Sequence, residues 1–268
     1  MKFDLLKTTG KKIYRIKKIR EVQMIDEKAK KIEDFVLQIE SEKNDSDKII
    51  INFEILKLLH TDNYIIEQKY YNLMRNRKVL FNLEGKYIDT LNKNKILTEW
   101  DEFRELMSKD IETPNLKTEK EFKLMRGFLV EEKYIVNSYD IFSIFFPKIY
   151  NKEFINEIYY NDSMEYFFGA VNIPVKVKVN VKNENENFRI STTHDIDDIY
   201  FRKYEIKEVL EYNKINVDYN KNIIMSFFSY DLLFDKERHL LKSGEIELGG
   251  EIKDIYKNYT KFQIEEMV

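Results

Sequence analysis

The residue types best suited to chemistry lie in one short segment, His194-Asp195-Ile196-Asp197-Asp198. An imidazole beside several carboxylates can bind a divalent metal or exchange protons with a substrate. The same residues also suit a polar loop, in which Asp197 or Asp198 caps a following helix and complements its dipole. We favour the cap, because a two-metal phosphohydrolase needs more histidines and the chain has only His60 and His239 besides. A metal-dependent phosphohydrolase or nuclease around this segment stays as an alternative.

No other catalytic signature occurs in the sequence. The chain has no cysteine, which excludes disulfides, thiolate nucleophiles and cysteine-based zinc sites. It has 7 glycines, and none of them forms a Gly-x-Gly-x-x-Gly turn, a Walker loop or a Gly-x-Ser-x-Gly elbow. The pair Gly249-Gly250 is interpreted as a hairpin turn. The sequence therefore predicts no catalytic residue, no metal and no cofactor.

Charge is the main feature left to explain. Charged residues make up 35% of the chain and the net charge is −3, so the surface can steer a charged partner into contact. We expect a non-enzymatic binding or inhibitor protein that neutralises a macromolecular partner by occlusion, as a toxin-immunity or anti-CRISPR protein does. The expected partner is a protein with a basic surface, and neither a membrane nor a nucleic acid is expected. The candidate partner-binding residues are Glu184, Glu186, Asp195, Asp197 and Asp198.

A second hypothesis rests on the aromatic-rich segment 134–168. An antiparallel sheet closed by aromatic-rich helices can enclose an apolar cavity, which would make the protein a carrier of a small apolar ligand. Packing between sheet and helix is the commoner use of such residues. The residues expected to line this cavity are Phe142, Phe145, Phe167 and Phe168.

The clearest structural signal among the elements that position these residues lies between Lys78 and Met107. Two β runs, 79–83 and 87–91, flank the turn residues Glu84-Gly85. After a short Asn-rich break, the apolar residues change from a period of two to a period of 3.6. The pattern predicts a β-hairpin that runs directly into a helix. The helix stripe comprises Ile96, Leu97, Trp100, Phe103, Leu106 and Met107.

The rest of the chain predicts an α+β protein with antiparallel β-meanders in two halves and a helical middle segment packed on the sheets. Residues 11–59 are interpreted as a three-stranded meander, and Val175 to Val181 as a half-buried strand. A helix is predicted near Ile199 to Tyr212, followed by three strands up to Ile264. The predicted domains are a β-meander plus helix at 1–110, a helical connector at 111–170 and a β-rich half at 171–268, which together are expected to form one compact unit.

The segment Lys78 to Glu105 resembles a loose set of uncharacterised bacterial β-rich proteins. In these proteins a strand ends in a turn glycine, and a second strand leads through Asn to a helix that carries Trp. The matching residues are Phe81, Gly85, Ile88, Asn92, Ile96 and Trp100. Many members of the set are predicted lipoproteins, and others look like products of toxin and defence gene neighbourhoods. The resemblance brings no catalytic residue with it.

The first twenty residues are strongly basic and contain no apolar stretch of signal-peptide length. No other segment approaches the ~20 apolar residues of a membrane span, so we expect a cytoplasmic protein. The basic residues could form an arm that binds nucleic acid, or they could lie on the solvent side of a sheet strand. We favour the strand, with Ile13 to Ile25 paired in the sheet and with Arg15 and Lys17 facing solvent.

This interpretation predicts that the protein binds no nucleic acid specifically. Binding to phosphates needs a continuous positive surface, and its affinity would fall steeply with salt. Mobility-shift assays with DNA and RNA should therefore show no complex that survives moderate salt. Tight, salt-resistant binding that is lost when Lys11, Lys12, Lys17 and Lys18 are replaced by glutamate would contradict the prediction.

Overall fold

The structure is a computed structural model. It describes residues 4–45, 47–61, 76–109, 126, 145, 150, 158–168, 171–212, 215 and 224–267. Most of the helical connector predicted at 111–170 lies outside the described residues, as does Phe142.

Eleven strands of the described chain form one antiparallel sheet. The strands are β1 Gly10–Met24, β2 Glu27–Asp45, β3 Lys48–Thr61, β4 Asn76–Asn82, β5 Tyr87–Thr90, β6 Ile158–Phe168, β7 Val171–Glu184, β8 Asn187–Ile196, β9 Ile224–Asp235, β10 Leu241–Ile252 and β11 Tyr256–Glu266. The order in the sheet is β5-β4-β3-β2-β1-β11-β10-β9-β8-β7-β6. Neighbours in the sheet are therefore neighbours in sequence, except that β1 also pairs with β11. A 3-10 turn at Leu5–Thr8 precedes the sheet, and the α-helices are α1 Lys93–Lys109 and α2 Lys203–Tyr212.

The predicted α+β fold is wrong, because the protein is mostly β. Two meanders do occur, but they are not separate halves, since β1 and β11 join them into one sheet. Part of the expected helical connector is the strand β6, at Ile158–Phe168. Its aromatic residues suit helices that pack on a sheet, but aromatic side chains are equally suited to strands. Local composition cannot separate these two uses.

The predicted three-stranded meander is confirmed by β1, β2 and β3, and the predicted hairpin and helix are confirmed by β4, β5 and α1. Ile96, Trp100 and Phe103 of α1 are buried, so Trp100 is a core residue. Asn92 fixes the start of this helix against β4. Its side chain accepts a hydrogen bond from the Lys78 amide at 3.0 Å and donates one to the Asn76 carbonyl at 3.0 Å.

The basic N-terminal segment pairs within the sheet as predicted, because it forms β1. Arg15 is exposed, and its guanidinium lies 2.7 Å from the Asp34 carboxylate. Lys12 forms an ion pair with Glu266. Lys17 is half-buried rather than fully solvent-facing. The cations of this strand are thus partly matched by carboxylates of the sheet itself.

The chain divides into two compact units. Unit 1 contains residues 16–33 and 154–265, and unit 2 contains 2–15, 34–153 and 266–268. Each unit has its own buried sheet face, built by alternating side chains. The residues buried in unit 1 include Val171, Ile173, Val175, Val177 and Val179 of β7, with Phe228, Leu232, Ile246, Leu248 and Phe262 of other strands. The residues buried in unit 2 include Phe35, Leu37, Ile39, Ile49, Ile51, Val79 and Trp100.

The predicted turn at Gly249-Gly250 is wrong, because both glycines lie inside β10, opposite Tyr259 and Asn258 of β11. The chain turns later, at 253–255. Gly249 has a φ of +139°, and a Cβ at this position would collide with the carbonyl oxygen of Asn258. Glycine is required here by the close approach of a neighbouring strand, which no local pattern reveals.

A comparison of Gly10 and Gly249, which both have a positive φ, distinguishes the cost of backbone strain from the cost of a steric collision. Gly10 has a φ of +128° with open space around it, whereas Gly249 has a similar φ and a crowded Cβ position. We expect Gly10→Ala to lower the free energy of unfolding by about 1–3 kcal/mol, from backbone strain alone. Gly249→Ala should cost about 1–3 kcal/mol more, because β11 must shift. Denaturant unfolding of both variants measures the difference, and equal losses would contradict the assignment.

Candidate functional site

The five acidic residues predicted to bind a partner do not form one surface. Glu184 and Glu186 lie at the hairpin turn between β7 and β8, whereas Asp195, Asp197 and Asp198 lie at the opposite end of β8. The ten residues of β8 span roughly 30 Å at about 3.3 Å per residue. A single compact interface on these acids would therefore have to cover the whole length of the strand.

Glu184 is matched by a neighbouring cation in the sheet. The Arg189 guanidinium lies 2.8 Å from Glu184 and 2.9 Å from Asp231. These two carboxylates raise the pKa of Arg189. Glu186 is exposed in the turn, and its backbone carbonyl accepts a hydrogen bond from the Lys236 amide at 3.0 Å. At this end of β8, Glu184 is thus paired within the protein, whereas the side chain of Glu186 is exposed.

The described residues do not bring together the metal or acid-base site that was the alternative around His194. His194 and Asp195 are consecutive residues of a strand, so their side chains point to opposite faces of the sheet. His194 Nε2 lies 2.7 Å from Ser226 Oγ, and Asp195 is exposed. His239 is buried beside Phe188, at the other end of β8. Within the described ranges, no group of three or more His, Cys, Asp or Glu residues is placed to hold a metal.

The residues expected to line an apolar cavity are only partly described. Phe167 and Phe168 belong to β6, but the positions of their side chains are outside the described structure. Phe145 is buried, and its ring centroid lies 4.8 Å from that of Tyr14. This packing identifies Phe145 as a core residue of unit 2, and the carrier hypothesis stays a prediction.

No helix among the described residues is both long and apolar enough to span a membrane.

The structural feature that stands out lies just after β8 and is built on Asp197. We call residues 197–201 the Asp197 turn. Asp197 is only 2% exposed, and its carboxylate lies 3.2 Å from the Lys176 ammonium on β7. Its amide donates to the Pro174 carbonyl at 2.9 Å, and its carboxylate accepts from the Ile199 amide at 3.3 Å. Its own carbonyl accepts from the amides of the third and fourth residues that follow, at 3.1 and 3.0 Å.

The prediction that Asp197 or Asp198 caps the following helix is wrong. Helix α2 begins at Lys203, six residues after Asp197, so the buried carboxylate caps the turn instead. Asp198 is exposed and lies 2.8 Å from the Lys203 ammonium. The sequence points to the right residue for a cap, but contacts with β7 decide which element it caps.

The Asp197 turn holds large apolar side chains in solvent. Ile199 is 81% exposed and Tyr200 is 69% exposed, whereas the next residue, Phe201, is buried. Tyr204, in the first turn of α2, is also exposed. Sequence reasoning missed Ile199 and Tyr200, because it placed both residues in the helix predicted near Ile199 to Tyr212, whereas the helix begins at Lys203. Exposed apolar side chains that are adjacent and fixed in place are typical of interaction sites.

Acidic residues dominate the surroundings of these side chains. Segment 195–212 contains 6 acidic and 3 basic residues, and because the buried Asp197 is matched by Lys176 of β7, the remaining balance is −2 (6 − 3 − 1). All three bases form pairs with acids, Arg202 with Glu205 at 3.1 Å, Lys203 with Asp198 at 2.8 Å and Lys207 with Glu211 at 3.6 Å. The turn therefore combines an apolar centre with a rim that is negative overall.

Removing the Asp197 carboxylate should loosen the turn. We expect Asp197→Ala to lower the free energy of unfolding by about 1–2 kcal/mol, because a buried cap is lost. Hydrogen exchange at the amides of residues 199–201 should become faster. Asp198→Ala is the matched control, since an exposed ion pair contributes about 0.5 kcal/mol or less. Unchanged exchange in Asp197→Ala, or equal effects of both variants, would contradict the role assigned to the buried carboxylate.

Comparisons with known proteins add little to this description. No family model matches the chain, and no curated protein matches it. One similar solved structure is that of lipovitellin with its lipid-protein interactions, with 9% identity and a TM-score of 0.45 over 97% of this chain and 25% of that one. Another is an outer membrane lipoprotein-sorting protein domain from Vibrio parahaemolyticus, with 8% identity and a TM-score of 0.18 over 97% of this chain and 86% of that one. The chain spans about a quarter of the lipovitellin chain, and at these TM-scores neither likeness supports a conclusion about function.

Proposed function

We propose that this protein is a non-enzymatic binding protein that occludes a protein partner with a basic surface, as immunity-type inhibitors do. The observation that carries the proposal is the exposure of Ile199 and Tyr200 on a turn that is fixed by the buried carboxylate of Asp197. In this proposal the two side chains form the apolar centre of the interface.

The energetics of association favour such a turn. Burying a side chain of this size against a partner contributes about 1.5–3 kcal/mol. Tyrosine is also enriched among the residues that dominate binding energy in interfaces. The turn is already ordered by the hydrogen bonds and the ion pair of Asp197, so less conformational entropy is lost on binding.

The charge of the rim defines the partner. Asp195 and Asp198 belong to the rim of the proposed interface, whereas Glu184 and Glu186 lie at the far end of β8 and outside it. A negative rim attracts a partner whose apolar pocket is bordered by Lys or Arg. Such attraction acts mainly on the association rate and weakens as salt is added, because exposed charges are screened.

A site-specific photocrosslinker tests the proposal in the producing cell. It is placed at Tyr200 in the full chain, and at Tyr159 in the control, a tyrosine of β6 that is 65% exposed. We expect one protein to be crosslinked from Tyr200 and not from Tyr159, and mass spectrometry then identifies it. The same products from both positions, no product, or crosslinking only to a second copy of this chain would overturn the proposal.

Affinity measurements with that purified protein give the quantitative test. Ile199→Ser and Tyr200→Ser should each weaken binding about tenfold or more, since a buried anchor contributes more than about 1.4 kcal/mol. Tyr159→Ser should leave the affinity within about twofold, and all three variants should keep the stability of the parent protein. An unchanged affinity in the two turn variants would exclude the Asp197 turn as the centre of the interface.

A further inference from the structure

A second feature of unit 1 lies on its buried sheet face, where the apolar surface gives way to cations. Ile16 of β1 and Phe262 of β11 are almost completely buried on this face. Side chains alternate along a strand, so Lys18 and Arg20 of β1 lie on the same face as Ile16. The Lys18 ammonium lies 5.6 Å from the centroid of the Phe262 ring, which agrees with this placement.

A buried carboxylate organises these cations. Glu33 of β2 is only 6% exposed. Its carboxylate lies 3.7 Å from the Lys18 ammonium and 2.8 Å from the Lys31 ammonium. Two lysines held on one buried carboxylate more than balance its charge.

Arg20 adds a third cation beside this pair. The contacts Lys18–Glu33 and Glu21–Lys30 indicate the register of the antiparallel pair β1–β2. In this register, Arg20 of β1 lies opposite Lys31 of β2. Like charges directly opposite each other destabilise a sheet. Arg20 forms no ion pair with any residue that the structure describes, although its charge reaches Tyr256 of β11, where it opposes the rise that burial causes in the pKa of that tyrosine.

The excess of positive charge around Arg20 therefore favours the binding of an anion. Among the contacts that the structure describes, three cations face one carboxylate, which leaves a balance of +2 (3 − 1). The β11 residues on the same face include Asn258 and Thr260, which are uncharged and can donate hydrogen bonds. Lys18 and Lys31 are sufficient to neutralise Glu33. The presence of Arg20 opposite Lys31 is therefore not explained by the need to neutralise this carboxylate.

We propose that Arg20 and Lys31, supported by Lys18, bind an oxyanion of the phosphate or carboxylate class. A guanidinium donates two parallel hydrogen bonds to such an anion, and an ammonium opposite it supplies a point charge. Glu33 repels an anion that approaches its own carboxylate, so the ligand lies between Arg20 and Lys31. The oxyanion is either a free ion or the head group of an amphipathic molecule. This site is separate from the Asp197 turn, and its existence does not depend on the proposed function.

Calorimetric titration of the full chain with inorganic phosphate, and with dodecyl phosphate below its micelle concentration, tests the site. We expect Arg20→Gln to weaken both ligands about tenfold or more, and Arg20→Lys to weaken them less, because lysine keeps the charge but not the paired donors. Lys17→Gln is the matched control, because it removes one charge from the same strand on the opposite face. It should leave both affinities within about twofold.

The two ligands distinguish the sources of the anion. Dodecyl phosphate that binds at least tenfold more tightly than inorganic phosphate, with both weakened by Arg20→Gln, supports an amphipathic ligand. Equal affinities that are both weakened by Arg20→Gln support a free oxyanion. Binding of neither ligand at millimolar concentration, or equal losses in Arg20→Gln and Lys17→Gln, would overturn the proposal.

Discussion

The pairing of β1 with β11 is the interaction on which the rest of the fold depends. The Ile25 amide donates to the Ile255 carbonyl at 2.6 Å, and the Met267 amide donates to the Ile13 carbonyl at 2.8 Å. Without this pairing each meander would end at an exposed strand edge with unpaired backbone groups. The two strands are also the most distant in sequence of all the strand neighbours in the sheet, so their pairing carries the largest entropic cost of loop closure.

Buried charges in unit 1 follow one rule, which is that a buried carboxylate is matched by a lysine of the sheet. Asp197 is matched by Lys176, and Glu33 by Lys18 and Lys31. An unmatched carboxylate would be expensive at these positions, because desolvation of a charge costs several kcal/mol. The two candidate sites lie next to these matched carboxylates. Beside Asp197 the additional feature is exposed apolar surface, and beside Glu33 it is an excess of positive charge.

The pairs among exposed charges show why a high content of charged residues does not by itself identify an interface. Lys261 lies 2.9 Å from Glu245 and 3.2 Å from Glu247, and the pKa of Glu245 is lowered by hydrogen bonds from Gln263 and Lys261. Exposed pairs of this kind contribute little individually, about 0–1 kcal/mol. They do, however, reduce the net field that a partner would meet. A fixed apolar turn with an acidic rim therefore defines an interface better than acidic residues alone.

The sequence by itself determined the elements whose signals are local. The change of period between 79 and 107 was sufficient for β4, β5 and α1, and alternation was sufficient for β7, because each pattern reflects side chains that are near neighbours along the chain. It also pointed to Asp197, but not to what that residue does. Only the tertiary structure decided that the meanders form one sheet, that Gly249 lies within a strand and that Ile199 and Tyr200 face solvent. The single sheet depends on β11, the glycine at 249 on the Asn258 carbonyl, and the Asp197 turn on Pro174 and Lys176. Each of these groups is close in space to the feature it determines but distant from it in sequence, so no local pattern encodes the feature.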